Sequence, residues 1–327
     1  MKLTYEEIIA AGQGYVRVEQ NELGVEFHRF SREQEGFLNK THPLFCRESF
    51  YIGYFGKNCR TAAGITLDFV SDAREVEIRF ARIEYPHEKT GQWIDLYVDR
   101  ELVQTYKNNE ETILYAASGG THRYTLYFPY LAFPIVSEVE LKGATVFSPV
   151  KRETEILFLG DSITHGGSAA HPSNTYVMRV ARALDVGIIN QGNSAFVYDA
   201  DSIDKVCDPK LVVTAYGIND YGRKTNEQLE SQTAAFLQKV REVYPKAKIL
   251  SILPLWTAWD EDRNDFQAEK RAILRAVYEQ YSDVILDGYD MIPNDVKYLA
   301  DELVHPNDEG FAYYGSRLTE EIRKMLA

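Results

Sequence analysis

Cysteine is scarce in this chain of 327 residues. Only Cys46, Cys59 and Cys207 are present, without the paired spacing of a zinc ribbon. That excludes a disulfide scaffold and a thiolate metal centre, and it reads as free thiols in a reducing compartment. A Cys46–Cys59 bridge is the minor alternative. Histidine is also sparse, and none of the seven lies in an H-E-x-x-H or similar cluster, so no metal and no cofactor is expected. Positive charge is in deficit: 36 Lys and Arg face 49 Asp and Glu, a net charge of −13. Such a surface repels nucleic acid and anionic membranes, and neither is expected as a partner. Long apolar runs are missing too. The longest, Leu126 to Val136, is interrupted by Pro129 and Pro134 and is too short to cross a bilayer. The start, MKLTYEEIIAAG, carries charges where an export leader needs its apolar core, so a cytoplasmic location is expected. Oligomeric state is not legible.

What the chain does have is a serine where a strand meets a helix, in EILFLGDSITHGG at residues 155–167. Ile156 to Leu159 form a continuous apolar run, as in a strand buried on both faces. Gly160 and Asp161 break it, and Ser162 follows at the carboxyl end, where open parallel sheets bind ligands. Taken alone, such a serine reads equally as a helix cap. Three later segments argue for chemistry. His305, in DELVHPNDEGF, directly precedes a final helical pattern and has Asp301 and Glu302 just upstream. A carboxylate beside an imidazole sets its tautomer and stabilises the imidazolium formed when it takes a serine proton. VVTAYGIND ends a second strand run with Asn219 and Asp220, and VGIINQGNSAF ends a third at Gly192. The Asn219 side chain and the Gly192 backbone can donate N–H groups to an oxyanion. Singly, each of these is an ordinary turn residue. At the ends of successive strands they supply a nucleophile, a base and its donors.

These blocks, GDSIT with Ser162, NQG with Gly192, GIND with Asn219 and HPN with His305, resemble the four sequence blocks of the SGNH (GDSL-type) hydrolase superfamily. Their order and spacing agree over residues 155 to about 325. The resemblance implies a flavodoxin-like sheet between helices, with Ser162 as nucleophile and His305 as base. It also implies oxyanion donors from the Ser162 backbone, the Gly192 backbone and the Asn219 side chain. One position departs from the pattern. The family has Asp three residues before the histidine; here Glu302 stands there and Asp301 lies one residue further back. Either Glu302 reaches with its longer arm, or the loop shifts and Asp301 serves, or a backbone carbonyl holds the imidazole in a Ser–His dyad. Glu302 is narrowly preferred.

The rest of the C-terminal half alternates strand and helix, as a parallel sheet with right-handed crossovers requires. A helix begins near Thr225, KILSILPLW is a fourth buried strand, and Asp283 to Leu286 a short fifth. The N-terminal half has a different period. Ile65–Leu67–Phe69, Val76–Ile78–Phe80, Ile94–Leu96–Val98 and Tyr124–Leu126–Phe128 alternate with a period of two, as half-buried antiparallel strands do. Helical patterning is scarce there beyond Tyr5 to Ala10. The simplest architecture is a jelly-roll-like β-sandwich over residues 1–150, joined to an SGNH hydrolase domain over 151–327 with the change of period at SPVKRETE. Every reactive candidate lies beyond residue 155, so the N-terminal half is expected to shape the site without doing chemistry.

Substrate class is read from fewer residues. Trp256 and Trp259, in LPLWTAWDED, follow the fourth strand on the sheet edge of the catalytic blocks, where aromatic faces can stack on sugar rings. Against that, tryptophan is highly buried on average, and Trp256 reads equally as a core residue. A β-sandwich joined to an SGNH domain also resembles two-domain bacterial acetylxylan-type esterases, an analogy of fold. The expected function is a serine esterase removing a small acyl group, acetyl above others, from a carbohydrate. A thioesterase or lysophospholipase is the enzymatic alternative and would need an apolar groove. A carbohydrate-binding protein on a degenerate hydrolase scaffold is the other, and it would not need Ser162, His305, Gly192 and Asn219 together.

Overall fold

The computed structural model describes residues 1–41, 54–85, 93–107, 110–258, 264–301 and 303–326. The N-terminal half opens with α1 (Tyr5–Ala11), started by a capping box in which Thr4 and Glu7 satisfy each other's backbone N–H. Strands β1 (Gly12–Gln13), β2 (Arg17–Asn21) and β3 (Gly24–His28) follow, then helices α2 (Arg32–Lys40) and α3 (Tyr54–Cys59). Next come β4 (Thr66–Ser71), β5 (Glu75–Glu84), β6 (Trp93–Val98), β7 (Glu101–Lys107), β8 (Thr112–Ala116), β9 (His122–Tyr127), β10 (Phe133–Lys142) and β11 (Phe147–Pro149). Two sheets form, in the orders β1-β4-β9-β6-β7, with β11 on β4, and β2-β3-β10-β5-β8. Their pairings are antiparallel. Between them lies one core, built from Val25, Leu67, Ile78, Leu96, Leu126 and Val139 among others. The period-two segments of the sequence are β4, β5, β6 and β9, and their apolar positions supply that core. Helices α2 and α3 were not legible. Their sequences, REQEGFLNK and YFGKNC, are short and carry too few apolar residues for a helical stripe.

The C-terminal half runs β12 (Thr154–Gly160), α4 (Ser162–His165), α5 (Tyr176–Leu184), β13 (Gly187–Gly192), β14 (Leu211–Ala215), α6 (Asn226–Val243), β15 (Lys248–Ile252), α7 (Asn264–Tyr281), β16 (Val284–Leu286) and α8 (Asp308–Leu326). Its sheet is parallel, in the order β13-β12-β14-β15-β16. This is the flavodoxin-like order expected, with helices on both faces. Alternate residues of β12 divide between them: Ile156 and Phe158 pack towards α5 and α8, Leu157 and Leu159 towards α6 and α7. Phe30, Leu38, Phe55 and Cys59 of the N-terminal half share the second of these cores. The two halves therefore meet through buried apolar surface, not through a linker alone.

Strand β12 has β13 on one side and β14 on the other, so its carboxyl end is the topological switch point where such sheets bind ligands. Register brings Gly160 level with Gly192 and with Ala215. The three segments that follow these strands thus start from one edge. No described helix is long and apolar enough to cross a membrane.

Candidate functional site

Ser162 is the first residue of α4, a single turn raised on Gly160 and Asp161. Gly160 cannot carry a side chain, because a Cβ there would come within 1.9 Å of Thr164 Oγ1 and 2.8 Å of Ala215 O. Asp161 caps the turn, its carboxylate accepting from Ile163 N–H at 3.0 Å. Asp161 is fully buried, and burial pushes its carboxyl up to about 7. The charge of Asp220 adds to that rise, while the Ile163 N–H and Arg223 oppose it.

His305 enters from the loop before α8. Pro306 bridges to Leu299, and Asn307 caps the helix by accepting from Glu309 and Gly310 N–H at 3.1 and 3.0 Å. α8 is held to α5 by Tyr176 stacked on Tyr314, ring centroids 4.2 Å apart. The loop is thereby fixed, and His305 Nε2 lies 2.8 Å from Ser162 Oγ. His305 Nδ1 lies 2.6 Å from Asp301 Oδ2. The other oxygen, Asp301 Oδ1, accepts from the backbone N–H of Leu303, Val304 and His305 at 3.0, 2.8 and 3.0 Å. Burial raises the Asp301 carboxyl, but hydrogen bonds from Val304, the His305 ring, Leu303 and His305 outweigh it and hold it at about 2. An ionised carboxylate only accepts, so Nδ1 carries the hydrogen. In the neutral ring Nε2 is then the acceptor, and the Ser162 hydroxyl donates to it. That arrangement can draw the proton from Ser162 as its oxygen attacks.

Three sequence expectations change. The imidazole's partner is Asp301, not the narrowly preferred Glu302: the loop shifts by one residue, and the single Nδ1 hydrogen is already given. Glu302 itself lies outside the described residues, as do Cys46 and Trp259. Gly192 does not hold an N–H in reserve for an oxyanion, because its one hydrogen goes to Asn190 Oδ1 at 2.8 Å. Its glycine answers a packing need, since a Cβ there would meet His165 N at 2.3 Å. Trp256 is 7% exposed and packed in the core beside α8, so it offers no sugar platform.

Asn219 donates one amide hydrogen to Phe196 O at 3.2 Å, and among the described residues no acceptor takes the second. Phe196 closes a turn back to Asn193 O at 3.1 Å. The third residue of that turn, Ala195, has φ +63°, the left-handed region that favours glycine. A non-glycine residue there carries local backbone strain that the surrounding turn supports. Trp93, at the start of β6, stacks its ring on His171 with centroids 5.3 Å apart. His171 ends the segment from Gly167, where a Cβ would stand 3.2 Å from His305 Cδ2. His171 is tied to the N-terminal half by Asp95 at 2.8 Å.

Among the described residues, Glu19, Glu26 and His28 approach one another closely enough to hold a cation. Their carboxylates are already paired, Glu19 with Arg17 at 2.5 Å and Glu26 with Arg60 at 3.1 Å. Cys59 and Cys207 are free thiols, each pushed up to about 12 by burial.

Residues 158–313 match the GDSL-like lipase/acylhydrolase family. That stretch is a GDSL-like acylhydrolase domain, which supports a carboxylic ester hydrolase. No curated protein matches the chain. Among solved structures it is similar to the salicylyl-acyltransferase SsfX3 from a tetracycline biosynthetic pathway, at 19% identity and a TM-score of 0.77, over 96% of this chain and 94% of that one. It is also similar to a GDSL-like lipase from Bacteroides ovatus, at 16% identity and a TM-score of 0.75, over 100% and 98%. An acetyl xylan esterase from the rumen bacterium Butyrivibrio proteoclasticus shares 15% identity with a TM-score of 0.58, over 81% and 91%. At these identities the likeness is one of fold.

Proposed function

We propose that this protein is a serine esterase that removes a small acyl group, acetyl above others, from a carbohydrate. Ser162 is the nucleophile, His305 the general base and Asp301 the acid that orients it. The carrying observation is the pair of contacts on one imidazole, Ser162 Oγ at 2.8 Å and Asp301 Oδ2 at 2.6 Å. Ser162 Oγ attacks the ester carbonyl while its proton passes to His305 Nε2, and ionised Asp301 stabilises the imidazolium. The oxyanion is held by the N–H groups of Ser162 and Ala195 and by the Asn219 amide, which bind it better than the planar carbonyl. His305 returns the proton to the leaving sugar oxygen, and water then clears the acyl-enzyme by the same steps. Residues 1–150 form the accessory half and 151–327 the catalytic one.

The cavity beside the residues that flank Ser162 is too small for a long acyl chain. The cavity lined by Asp161, Ile163, Tyr216 and Leu255 has about 20 Å³. That is room for about one water molecule and not for an acyl chain. The sugar is assigned to the Trp93–His171 face, where an indole and an imidazole offer flat apolar area beside the segment flanking His305. A carbohydrate ester is also the substrate named for the Butyrivibrio esterase. A second reading is favoured by the SsfX3 likeness, which spans both halves of the chain. In it the acyl-enzyme passes its acyl group to an acceptor hydroxyl in place of water.

Hydrolysis of p-nitrophenyl acetate, butyrate and octanoate, with acetate release from acetylated xylo-oligosaccharides, tests the proposal. Rates should fall as the chain lengthens, and acetate should appear from the sugar. Preference for octanoate would sink the small-acyl assignment. A new ester formed when a sugar alcohol is added, at the expense of free acetate, would turn the reading to transfer.

A further inference from the structure

Beneath the site lies a buried polar chain that starts in the N-terminal half. Arg29 follows β3, and its side chain is fully buried. A guanidinium has five N–H groups, and all five are spent. Nε donates to Thr61 O at 2.6 Å. Nη1 donates to Asn190 O at 2.6 Å and Gly192 O at 3.0 Å. Nη2 donates to Asn58 O at 2.9 Å and Thr61 Oγ1 at 3.1 Å. None of these acceptors is a carboxylate. Burial pushes the guanidinium down to about 9, against its ordinary 12.5. A buried cation whose hydrogen bonds reach no described carboxylate is a poor source of stability. What these bonds achieve is position: they join the segment after α3 to the carboxyl end of β13.

Proton counting then sets a direction. The Thr61 hydroxyl gives its hydrogen to Asn58 O at 2.8 Å and accepts from Arg29. It must therefore accept again from His165 Nε2, 2.7 Å away. With its hydrogen on Nε2, the neutral His165 ring offers Nδ1 as an acceptor, and the Ser194 hydroxyl donates to it at 2.8 Å. Thr61 and His165 are fully buried. Ser194 is the second residue of the Asn193–Phe196 turn, and the next residue is Ala195. Asn193 is anchored from the same half, its amide donating to Phe55 O at 3.0 Å.

We infer that Arg29 and Thr61 are positioning residues for the oxyanion turn, acting through His165 and Ser194 to hold the Ala195 N–H where the tetrahedral intermediate forms. The inference rests on the esterase reading above. The N-terminal half then touches no reacting atom yet sets the geometry of one donor, and small displacements of such donors are costly because the site is rigid.

The test is steady-state turnover of p-nitrophenyl acetate by the full chain carrying Thr61→Val, Thr61→Ser or Ser194→Ala. Thr61→Val keeps the shape and removes the hydroxyl; it should lower kcat about tenfold with KM within about twofold. Thr61→Ser should restore kcat to within about threefold of wild type. Ser194→Ala should match Thr61→Val, and the double variant should be no worse than either, since both cut one chain. A residue that merely stabilised the fold would shift the melting temperature without this rescue or this lack of additivity. Wild-type kcat in folded Thr61→Val and Ser194→Ala would overturn the inference, as would losses that multiply. Should Thr61→Val fail to fold, Ser194→Ala decides alone, its side chain being partly exposed. An inactive wild type would remove both readings. An active wild type with indifferent variants would remove only this one.

Discussion

The two sides of the serine are built differently. The base side is local: Asp301 and His305 are four residues apart, and three backbone N–H groups of the same loop hold the carboxylate. The oxyanion side is long-range: the turn at Ala195 rests on Ser194, His165, Thr61 and Arg29, drawn from both halves. The first is partly exposed, whereas the second runs from buried Arg29, Thr61 and His165 out to a partly exposed turn. The base side can therefore adjust its acid by a loop shift, whereas the oxyanion side depends on how the two halves dock. A defect in docking should reach catalysis through kcat while leaving the serine and its base intact.

The largest effect should come from the serine that both sides serve. Ser162→Ala should remain folded and lose at least about 10⁴-fold in kcat, as triad members do elsewhere. A fluorophosphonate should label wild type at Ser162 and leave the variant unlabelled. Full activity in the variant would mean that neither side of the comparison concerns catalysis.

The base side breaks at its carboxylate. Asp301→Asn keeps the shape but no longer enforces the Nδ1–H tautomer, and kcat should fall about 10³- to 10⁴-fold. Glu302→Gln should stay within about twofold of wild type. Measuring the two side by side decides which loop register operates in solution, and the reverse ranking would restore Glu302.

On the oxyanion side, Asn219→Ala removes one donor and should cost about 10²- to 10³-fold in kcat. KM should change little, because the donor acts on charge that develops only in the transition state. A variant with raised KM and normal kcat would make Asn219 a binding residue.

The local and long-range sides also differ in how far the sequence reveals them. Parallel and antiparallel strands were legible because their periods differ and each pattern lies within one short segment. The helix starting at Thr225 was legible from the spacing of Leu229, Phe236, Leu237 and Val240, which the structure buries. Ser162, His305 and the two acid choices were legible for the same reason, since they lie in contiguous blocks. The choice between Asp301 and Glu302 was not, because it turns on backbone geometry within four residues. Arg29 and Thr61 carry no local signal at all. Their role depends on bonds to residues 190, 192 and 165, which only the docked fold brings near. Gly192 misled for a related reason: a glycine that permits close packing looks, in sequence, like one that frees an N–H.

A smaller effect should mark where the accessory half meets the substrate. Trp93→Ala removes the ring stacked on His171 and should raise KM for an acetylated oligosaccharide several-fold, about 3 to 10 times, by analogy with other aromatic stacks. Turnover of p-nitrophenyl acetate, which has no sugar, should be unchanged. Equal losses on both substrates would mean that Trp93 supports the fold and not the sugar.

The smallest expected effect concerns stability beneath the nucleophile. Asp161 is buried next to the oxyanion side, where burial first and the charge of Asp220 second raise its carboxyl from 3.8 to about 7. The native state therefore holds this proton more tightly than the unfolded chain does. Between about pH 4 and 7 the native form binds more protons, so this group's contribution is complete below about 4 and is lost as pH rises through 7. Asp161→Asn keeps an oxygen to cap Ile163 N–H but cannot ionise. Its melting temperature should match wild type near pH 4 and exceed it by about 2–4 °C at pH 8. Other carboxylates titrate in the same range, so the quantity to follow is the difference between the two proteins at each pH, measured by calorimetry. Melting curves that stay parallel from pH 4 to 8 would show that Asp161 is solvated in the native protein, and that the buried side of the site is less closed than its packing implies.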